Sequence, residues 1–310
     1  MTRVAAIDCG TNSIRLLIGD IDRSRRLTDV VRRMEVVRLG QGVDRTGLLD
    51  PEALERTLHV TREYADACRE HGVEVIRFVA TSATRDAGNR HTFVSGVRKI
   101  LGVEPEVISG QEEAALSFAG ASSVVEPEAA RPLLVVDIGG GSTEIVLGND
   151  VPIAAASMDI GSVRLTERHL RSDPPGSKRC RAARHDIREG LDRIAEVVPL
   201  DRTATVVGVA GSITTVTAHA LGLTSYDRDR IDGAQLPVET VLASCEALLT
   251  AKRKERAAMG FMHPGRVDVI GAGALIWAEV IEYVRRLSGD VTTVRTSEHD
   301  ILDGIALSIS

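Results

Sequence analysis

Short apolar runs punctuated by glycine and proline predict an alternating series of strands and helices along the whole chain. The series opens on a strand ending at Asp8, a Gly-containing tight turn, and a second strand beginning near Ser13. A third strand (Val30–Arg38) follows, then a helix (Pro51–His71), a strand (Val73–Ala80), a helix (Arg85–Leu101), a strand (Glu104–Ile108) and a helix starting near Gly110. The pattern then starts again. Strands are predicted at Leu133–Asp137, Thr143–Leu147 and Ile153–Asp159, helices at Val163–Leu170 and Arg179–Val197, and a strand at Thr205–Val209. Helices at Ser212–Leu221, Val238–Leu249 and Gly265–Leu287, a strand at Val291–Arg295 and a last helix from about Asp300 complete it.

The restart is a repeat. Ile7-Asp8-Cys9-Gly10-Thr11-Asn12-Ser13-Ile14-Arg15-Leu16-Leu17-Ile18-Gly19-Asp20 aligns without a gap on Val136-Asp137-Ile138-Gly139-Gly140-Gly141-Ser142-Thr143-Glu144-Ile145-Val146-Leu147-Gly148-Asn149, at a constant offset of 129 residues. Asp, the first Gly, Ser and the second Gly coincide, so a domain-sized unit is duplicated. Two halves are expected, 1–125 and 131–297, linked by the Glu-, Ala- and Pro-rich segment Val124–Arg131, with the helix at 298–310 packing back on the first half.

Composition narrows the function classes. At 310 residues, 43% hydrophobic and 26% charged, the chain is an ordinary globular protein long enough for two domains. Only eight residues are aromatic, so cores must be aliphatic and binding by base stacking is not expected. The net charge of −6 argues against general nucleic-acid binding, and no segment reaches the ~20 apolar residues that cross a bilayer. Cys9, Cys68, Cys180 and Cys245 form no CxxC pair and read as free thiols of a cytoplasmic protein, Cys9 facing the core.

The two acidic turns carry the chemistry. Glycines at Gly10, Gly139, Gly140 and Gly141 let backbone N–H groups converge on an anion, and Thr11, Asn12, Ser13 and Ser142 add polar donors. An aspartate at each strand end, Asp8 and Asp137, can hold a magnesium ion between phosphate oxygens. Two tandem hairpin-plus-helices α/β domains of this kind resemble the actin-like, Hsp70-like and sugar-kinase superfamily. That resemblance implies duplicated actin-like (ribonuclease H-like) lobes around a central phosphate-binding cleft.

Four segments narrow the resemblance. Ala5–Ser13, Ala80-Thr81-Ser82-Ala83-Thr84-Arg85-Asp86, Ile108-Ser109-Gly110-Gln111-Glu112-Glu113-Ala114 and Asp137–Glu144 resemble, in order and spacing, the exopolyphosphatase and guanosine pentaphosphate phosphohydrolase (Ppx/GppA) family. The resemblance implies Glu113 as the catalytic base, Arg85 as a phosphate-gripping arginine, and Asp137, Glu144 and Asp8 as metal carboxylates. It also implies a further phosphate-side loop at Gly211-Ser212, with Mg²⁺ or another divalent cation as cofactor. Ser109 and Glu112 have the spacing of a capping box, which assigns Glu112 to the helix start and leaves Glu113 for chemistry. Arg15 stands in the first copy where Glu144 stands in the second, so metal binding is expected mainly on the second.

The implied activity is release of terminal orthophosphate from inorganic polyphosphate by in-line attack of water. The alternative is the 5′-phosphate of guanosine pentaphosphate. Rivals are an ATP-dependent kinase or ATPase of the same superfold, with Gly271-Ala272-Gly273 read as a nucleoside-contacting loop, and a non-catalytic alarmone sensor. The chain ends at Ser310, without the C-terminal helical domain of the longest family members, so processive degradation of long polymers is not expected. No nucleic-acid or membrane partner is expected, and a homodimer is admitted. Arg23, Arg25, Arg26, Arg32 and Arg33 read as a solvated face, and Lys252, Arg253, Lys254 and Arg256 as an exposed helix, with a channel for polyphosphate as the alternative for each. Glu298-His299-Asp300 reads as a helix start rather than a metal site.

Overall fold

The computed structural model describes residues 1–126 and 128–309, so Pro127 of the expected link and Ser310 of the expected last helix lie outside the described residues. The chain divides into two compact units, one of Met1–Gly120 with Ile301–Ser310, the other of Ala121–Asp300. The division falls in the last turn of a helix (Gly110–Ser122), just ahead of the Val124–Arg131 segment.

The first unit is built on strands β1 (Thr2–Cys9), β2 (Ser13–Ile21) and β3 (Leu27–Val36), helices α1 (Val43–Thr46) and α2 (Pro51–Glu70), strand β4 (Val75–Ala80), helices α3 (Ser82–Asp86) and α4 (Arg90–Leu101), strand β5 (Glu106–Val107) and helix α5 (Gly110–Ser122). Its sheet runs β3-β2-β1-β4-β5, with β1, β2 and β3 antiparallel and β4 and β5 added in parallel. β1 is buried on both faces, which is why it reads as a continuous apolar run. Ile7 and Cys9 enter the core shared with Tyr64 and Phe93, while Val4 and Ala6 enter a second core on the opposite face. Asp50 starts α2 as its N-cap, accepting from the Glu52 and Ala53 N–H groups at 3.0 Å ahead of Pro51 at the first helical position.

The predicted helix Arg85–Leu101 is two helices. Asn89 leaves the helical path because its side chain bonds both the N–H and the carbonyl of Leu49, at 2.8 and 3.0 Å, and Gly88 N–H donates to the Gly47 carbonyl. A tertiary contact thus overrides a local pattern that reads through the break.

The second unit comprises β6 (Leu133–Ile138), β7 (Thr143–Gly148), β8 (Pro152–Met158), α6 (Ser162–Arg168), α7 (Ser177–Ala195), β9 (Thr205–Val209), α8 (Ala210–Ala220), α9 (Arg228–Ile231), β10 (Gln235–Pro237), α10 (Val238–Thr250), α11 (Arg253–Ala257), α12 (Ile270–Ser288) and β11 (Thr293–Thr296). Its sheet runs β10-β11-β9-β6-β7-β8. The stretch β8-β7-β6-β9 repeats β3-β2-β1-β4 strand for strand and direction for direction, so the duplication read from the hairpins extends to the sheet. The three-residue β10 escaped the sequence pattern because only its pairing with β11 defines it. Trp277 of α12 is fully buried among aliphatic residues.

The last helix, α13 (Ile301–Ser308), belongs to the first unit. Ile301, Leu302, Ile305 and Ala306 pack with Val4, Ala6 and Leu17, each large side chain contributing roughly 1.5–3 kcal/mol. Arg32 locks the helix by a two-pronged bond to buried Asp303, at 2.5 and 3.1 Å, and Arg25 donates to the Leu307 carbonyl. Arg32 is therefore structural rather than part of a solvated face, whereas Arg25 stays exposed as expected. The same correction applies to Arg256, which is buried, not exposed, and paired with Asp173 at 2.7 Å. All four cysteines are free; burial pushes the Cys68 thiol up to about 11 and raises those of Cys9 and Cys245 as well, so these three pack rather than react. No described helix is long and apolar enough to cross a membrane.

Candidate functional site

In the first unit, Asp8 sits at the end of β1, buried, directly opposite Arg15 on β2. Its Oδ2 accepts from Arg15 Nη2 at 2.7 Å and Nε at 3.0 Å. The turn between them is closed by Gly10 N–H donating to the Ser13 carbonyl at 3.0 Å. Its other carbonyls are taken from outside, that of Thr11 by Gly40 N–H and that of Asn12 by the N–H groups of Val37 and Arg38. Thr11 Oγ1 shares a buried 2.8 Å hydrogen bond with Ser82 Oγ, tying the turn to the start of α3.

Arg85 and Glu113 come together in the same unit. Arg85 Nη1 donates to Glu113 Oε2 at 3.1 Å and to the Ile108 carbonyl at 3.0 Å, fixing a carboxylate that is only 7% exposed. Ser109 Oγ accepts from Glu112 N–H at 3.2 Å, one arm of the expected capping box, while the Glu112 carboxylate takes a 3.0 Å salt bridge from Arg77. The neighbours Glu112 and Glu113 thus answer to different arginines.

In the second unit, Asp137 ends β6 opposite Glu144 on β7. Both are buried, and Glu144 Oε1 accepts from Ser157 Oγ at 2.7 Å. Gly139 N–H donates to the Ser142 carbonyl at 3.1 Å, the counterpart of the first turn. The carbonyls of Gly139 and Gly140 are held by the N–H groups of Ser162, Val163 and Arg164 at the start of α6, at 2.9–3.1 Å. This approach needs Gly161, where a Cβ would fall 2.5 Å from the Gly140 carbonyl.

Two acidic residues paired across neighbouring strands are the donor type that a hard divalent cation takes. No group of three or more His, Cys, Asp or Glu side chains that could hold a metal occurs among the described residues. A carboxylate pair suits magnesium in particular, which keeps several waters and takes one or two carboxylates together with phosphate oxygens. Glu298-His299-Asp300 forms no such group; His299 N–H instead donates to Ser297 Oγ just ahead of α13.

Gly211 and Ser212 lie in the first turn of α8, preceded by Ala210 in a left-handed backbone conformation, φ 69°. A non-glycine residue held there stores strain of about 1–2 kcal/mol, a feature common at ligand-binding turns. Sequence reasoning missed the neighbour. The guanidinium of Arg266 lies flat on Gly211, where a Cβ would fall 2.2 Å from its Cζ. Nothing in sequence spacing links residues 211 and 266; the one available signal was an arginine just ahead of a long apolar helix. Gly271-Ala272-Gly273, read as a nucleoside loop by one rival, is the buried first turn of α12, with Gly273 giving way to Ser212.

Comparison with known proteins points to one family. Residues 17–308 match the Ppx/GppA phosphatase family. Exopolyphosphatase 2 of Mycobacterium tuberculosis is 48% identical over 318 aligned residues, covering 100% of this chain and 99% of that protein. Guanosine-5′-triphosphate,3′-diphosphate pyrophosphatase of Pseudoalteromonas atlantica is 31% identical over 229 residues, 74% of this chain and 45% of its own length. Among solved structures, an exopolyphosphatase-like protein superposes with a TM-score of 0.96 at 46% identity, covering 99% of this chain and 97% of that one. The Aquifex aeolicus PPX-GPPA enzyme gives 0.80 at 30% identity, with 99% of both chains covered. With a family match over residues 17–308 and a 48% identical exopolyphosphatase covered along its whole length, the chain belongs to the Ppx/GppA phosphatase family.

Proposed function

We propose that this protein is an exopolyphosphatase, releasing terminal orthophosphate from inorganic polyphosphate by in-line attack of water, with Glu113 as base and Mg²⁺ held by Asp137 and Glu144. The observation that carries the reading is the buried Glu113 carboxylate, fixed through Oε2 by Arg85, in a chain whose full length is similar to an exopolyphosphatase. Glu113 takes a proton from water as the water oxygen bonds to the terminal phosphorus. The bridging P–O bond breaks and the shortened chain leaves with the bridging oxygen. Arg85 holds the carboxylate in place and offers its remaining N–H groups to phosphate oxygens. The Gly10–Ser13 and Gly139–Ser142 turns, with Gly211 and Ser212, supply backbone and hydroxyl donors to a polyanion. Magnesium, when bound, neutralises charge on the phosphoryl oxygens. Asp8, held through Oδ2 by Arg15, keeps the first turn in shape.

A second substrate, the 5′-terminal phosphate of guanosine pentaphosphate, needs the same chemistry and is favoured by the similarity to the Pseudoalteromonas pyrophosphatase. The test is phosphate release from short polyphosphate, long polyphosphate and guanosine pentaphosphate, with and without Mg²⁺, by wild type and Glu113→Gln. The variant is expected to lose about 10³-fold in kcat, with substrate affinity within about threefold. Near wild-type turnover by Glu113→Gln removes the base assignment, and release without an acceptor separates a hydrolase from a kinase.

A further inference from the structure

The chain has three tyrosines, four phenylalanines and one tryptophan. Seven of the eight are buried; Tyr226 alone is exposed, at 40%. It lies in the loop between α8 and α9, and its hydroxyl is fixed at two points. It donates to or accepts from Thr214 Oγ1 at 2.8 Å and bonds the Glu298 carboxylate. Thr214 stands one helical turn beyond Gly211, on the same side of α8. The Glu298 end is itself held, its N–H donating to Asp232 Oδ1 at 2.9 Å and its carboxylate lying 3.9 Å from Arg228 Nε. Arg266, flat on Gly211, reaches Thr215 Oγ1 with its Nη1 at 3.5 Å, next in the chain to the threonine that holds the phenol.

An exposed aromatic ring usually costs side-chain freedom when it binds, and this one is already ordered through its hydroxyl. It stands next to a strained loop end, a glycine turn and a guanidinium, the groups that grip a phosphate chain. We infer that Tyr226 is a nucleobase platform, on which the base of a nucleoside polyphosphate stacks while its phosphates lie toward Gly211, Ser212 and Arg266. The aromatic-poor composition argued against stacking surfaces in general; one pre-ordered ring suffices for one base. The inference deepens the guanosine pentaphosphate reading and rests on the Gly211–Ser212 turn taking phosphate, but not on turnover.

Its test therefore uses ligands that cannot be hydrolysed. Guanosine 5′-(β,γ-methylene)triphosphate and the base-free triphosphate with the same methylene bridge are titrated into the full-length protein by calorimetry, for wild type, Tyr226→Ala, Tyr226→Leu and Tyr226→Phe. A stacked base is worth roughly tenfold or more in Kd. Wild type is expected to bind the nucleotide at least about tenfold more tightly than the base-free analogue. Tyr226→Ala and Tyr226→Leu should erase that margin while changing base-free binding less than about twofold, and Tyr226→Phe should keep it within about threefold. If the alanine variant does not fold, the leucine variant carries the comparison. The inference is overturned if wild type shows no margin for the nucleotide, if removing the ring leaves the margin intact, or if it weakens both ligands equally, as a merely structural role through Thr214 would. Absence of phosphate release from any substrate would instead remove the hydrolase reading and leave this result standing.

Discussion

The β1–β2 and β6–β7 hairpins share strand direction, register and a closing hydrogen bond, Gly10 to Ser13 in one and Gly139 to Ser142 in the other, yet they have opposite electrostatics. In the first, buried Asp8 faces Arg15, and a two-pronged salt bridge neutralises the pair internally. In the second, Asp137 faces Glu144. Like unit charges on cross-strand neighbours ~5 Å apart repel by roughly 3 kcal/mol at an effective dielectric of about 20. The next strand over differs accordingly: Arg15 lies beside Met34, whereas Glu144 lies beside Ser157, which donates a hydrogen bond to it. One copy thus pairs acid with base across its strands and the other acid with acid, the difference on which the proposed cation site rests. A single cross-strand position, Arg15 in one copy and Glu144 in the other, makes that difference.

The strongest way to break this contrast is to give the second hairpin the first one's pairing. Glu144→Arg places a guanidinium against Asp137 and should cost about 10³-fold in Mg²⁺-dependent phosphate release, measured at saturating substrate. Removing the first hairpin's cation acts on stability instead. Arg15→Ala leaves Asp8 buried without its guanidinium and should destabilise by about 2–4 kcal/mol in urea unfolding, with Asp8→Asn in the same chain recovering part of the loss.

Two smaller effects test the turns themselves. Gly161→Ala drives a methyl into the Gly140 backbone and should destabilise by about 1–3 kcal/mol and lower kcat more than tenfold, because the glycine turn must shift. Ala210→Gly relieves the left-handed conformation ahead of Gly211 and should raise stability by about 0.5–1 kcal/mol in the same unfolding assay.

Much of this contrast was legible in the sequence. The fixed offset between the two Asp-Gly segments gave the hairpins, and the alignment of Arg15 on Glu144 exposed the charge reversal, because antiparallel register turns sequence spacing around a tight turn into a cross-strand pair. Glu113 was separable from Glu112 by its place after the Ser109 cap, although the Glu112 side chain proved to answer to Arg77. What could not be read depends on contacts between residues far apart in the chain. Asn89 breaks a helix by reaching Leu49, Arg256 is buried by pairing with Asp173, and Arg266 meets Gly211 across 55 positions of sequence. Arg32 looked solvated because its partner, Asp303, lies 271 residues away.

The central proposal, that the second hairpin rather than the first holds the cation, is tested most directly by titrating Mg²⁺ into wild type, Glu144→Gln and Asp8→Asn by calorimetry, each variant confirmed folded. Glu144→Gln keeps size and shape but removes one charge from the pair, so its Mg²⁺ affinity should fall at least about tenfold, while Asp8→Asn should stay within about threefold of wild type. Loss of Mg²⁺ binding in Asp8→Asn with retention in Glu144→Gln would contradict the account.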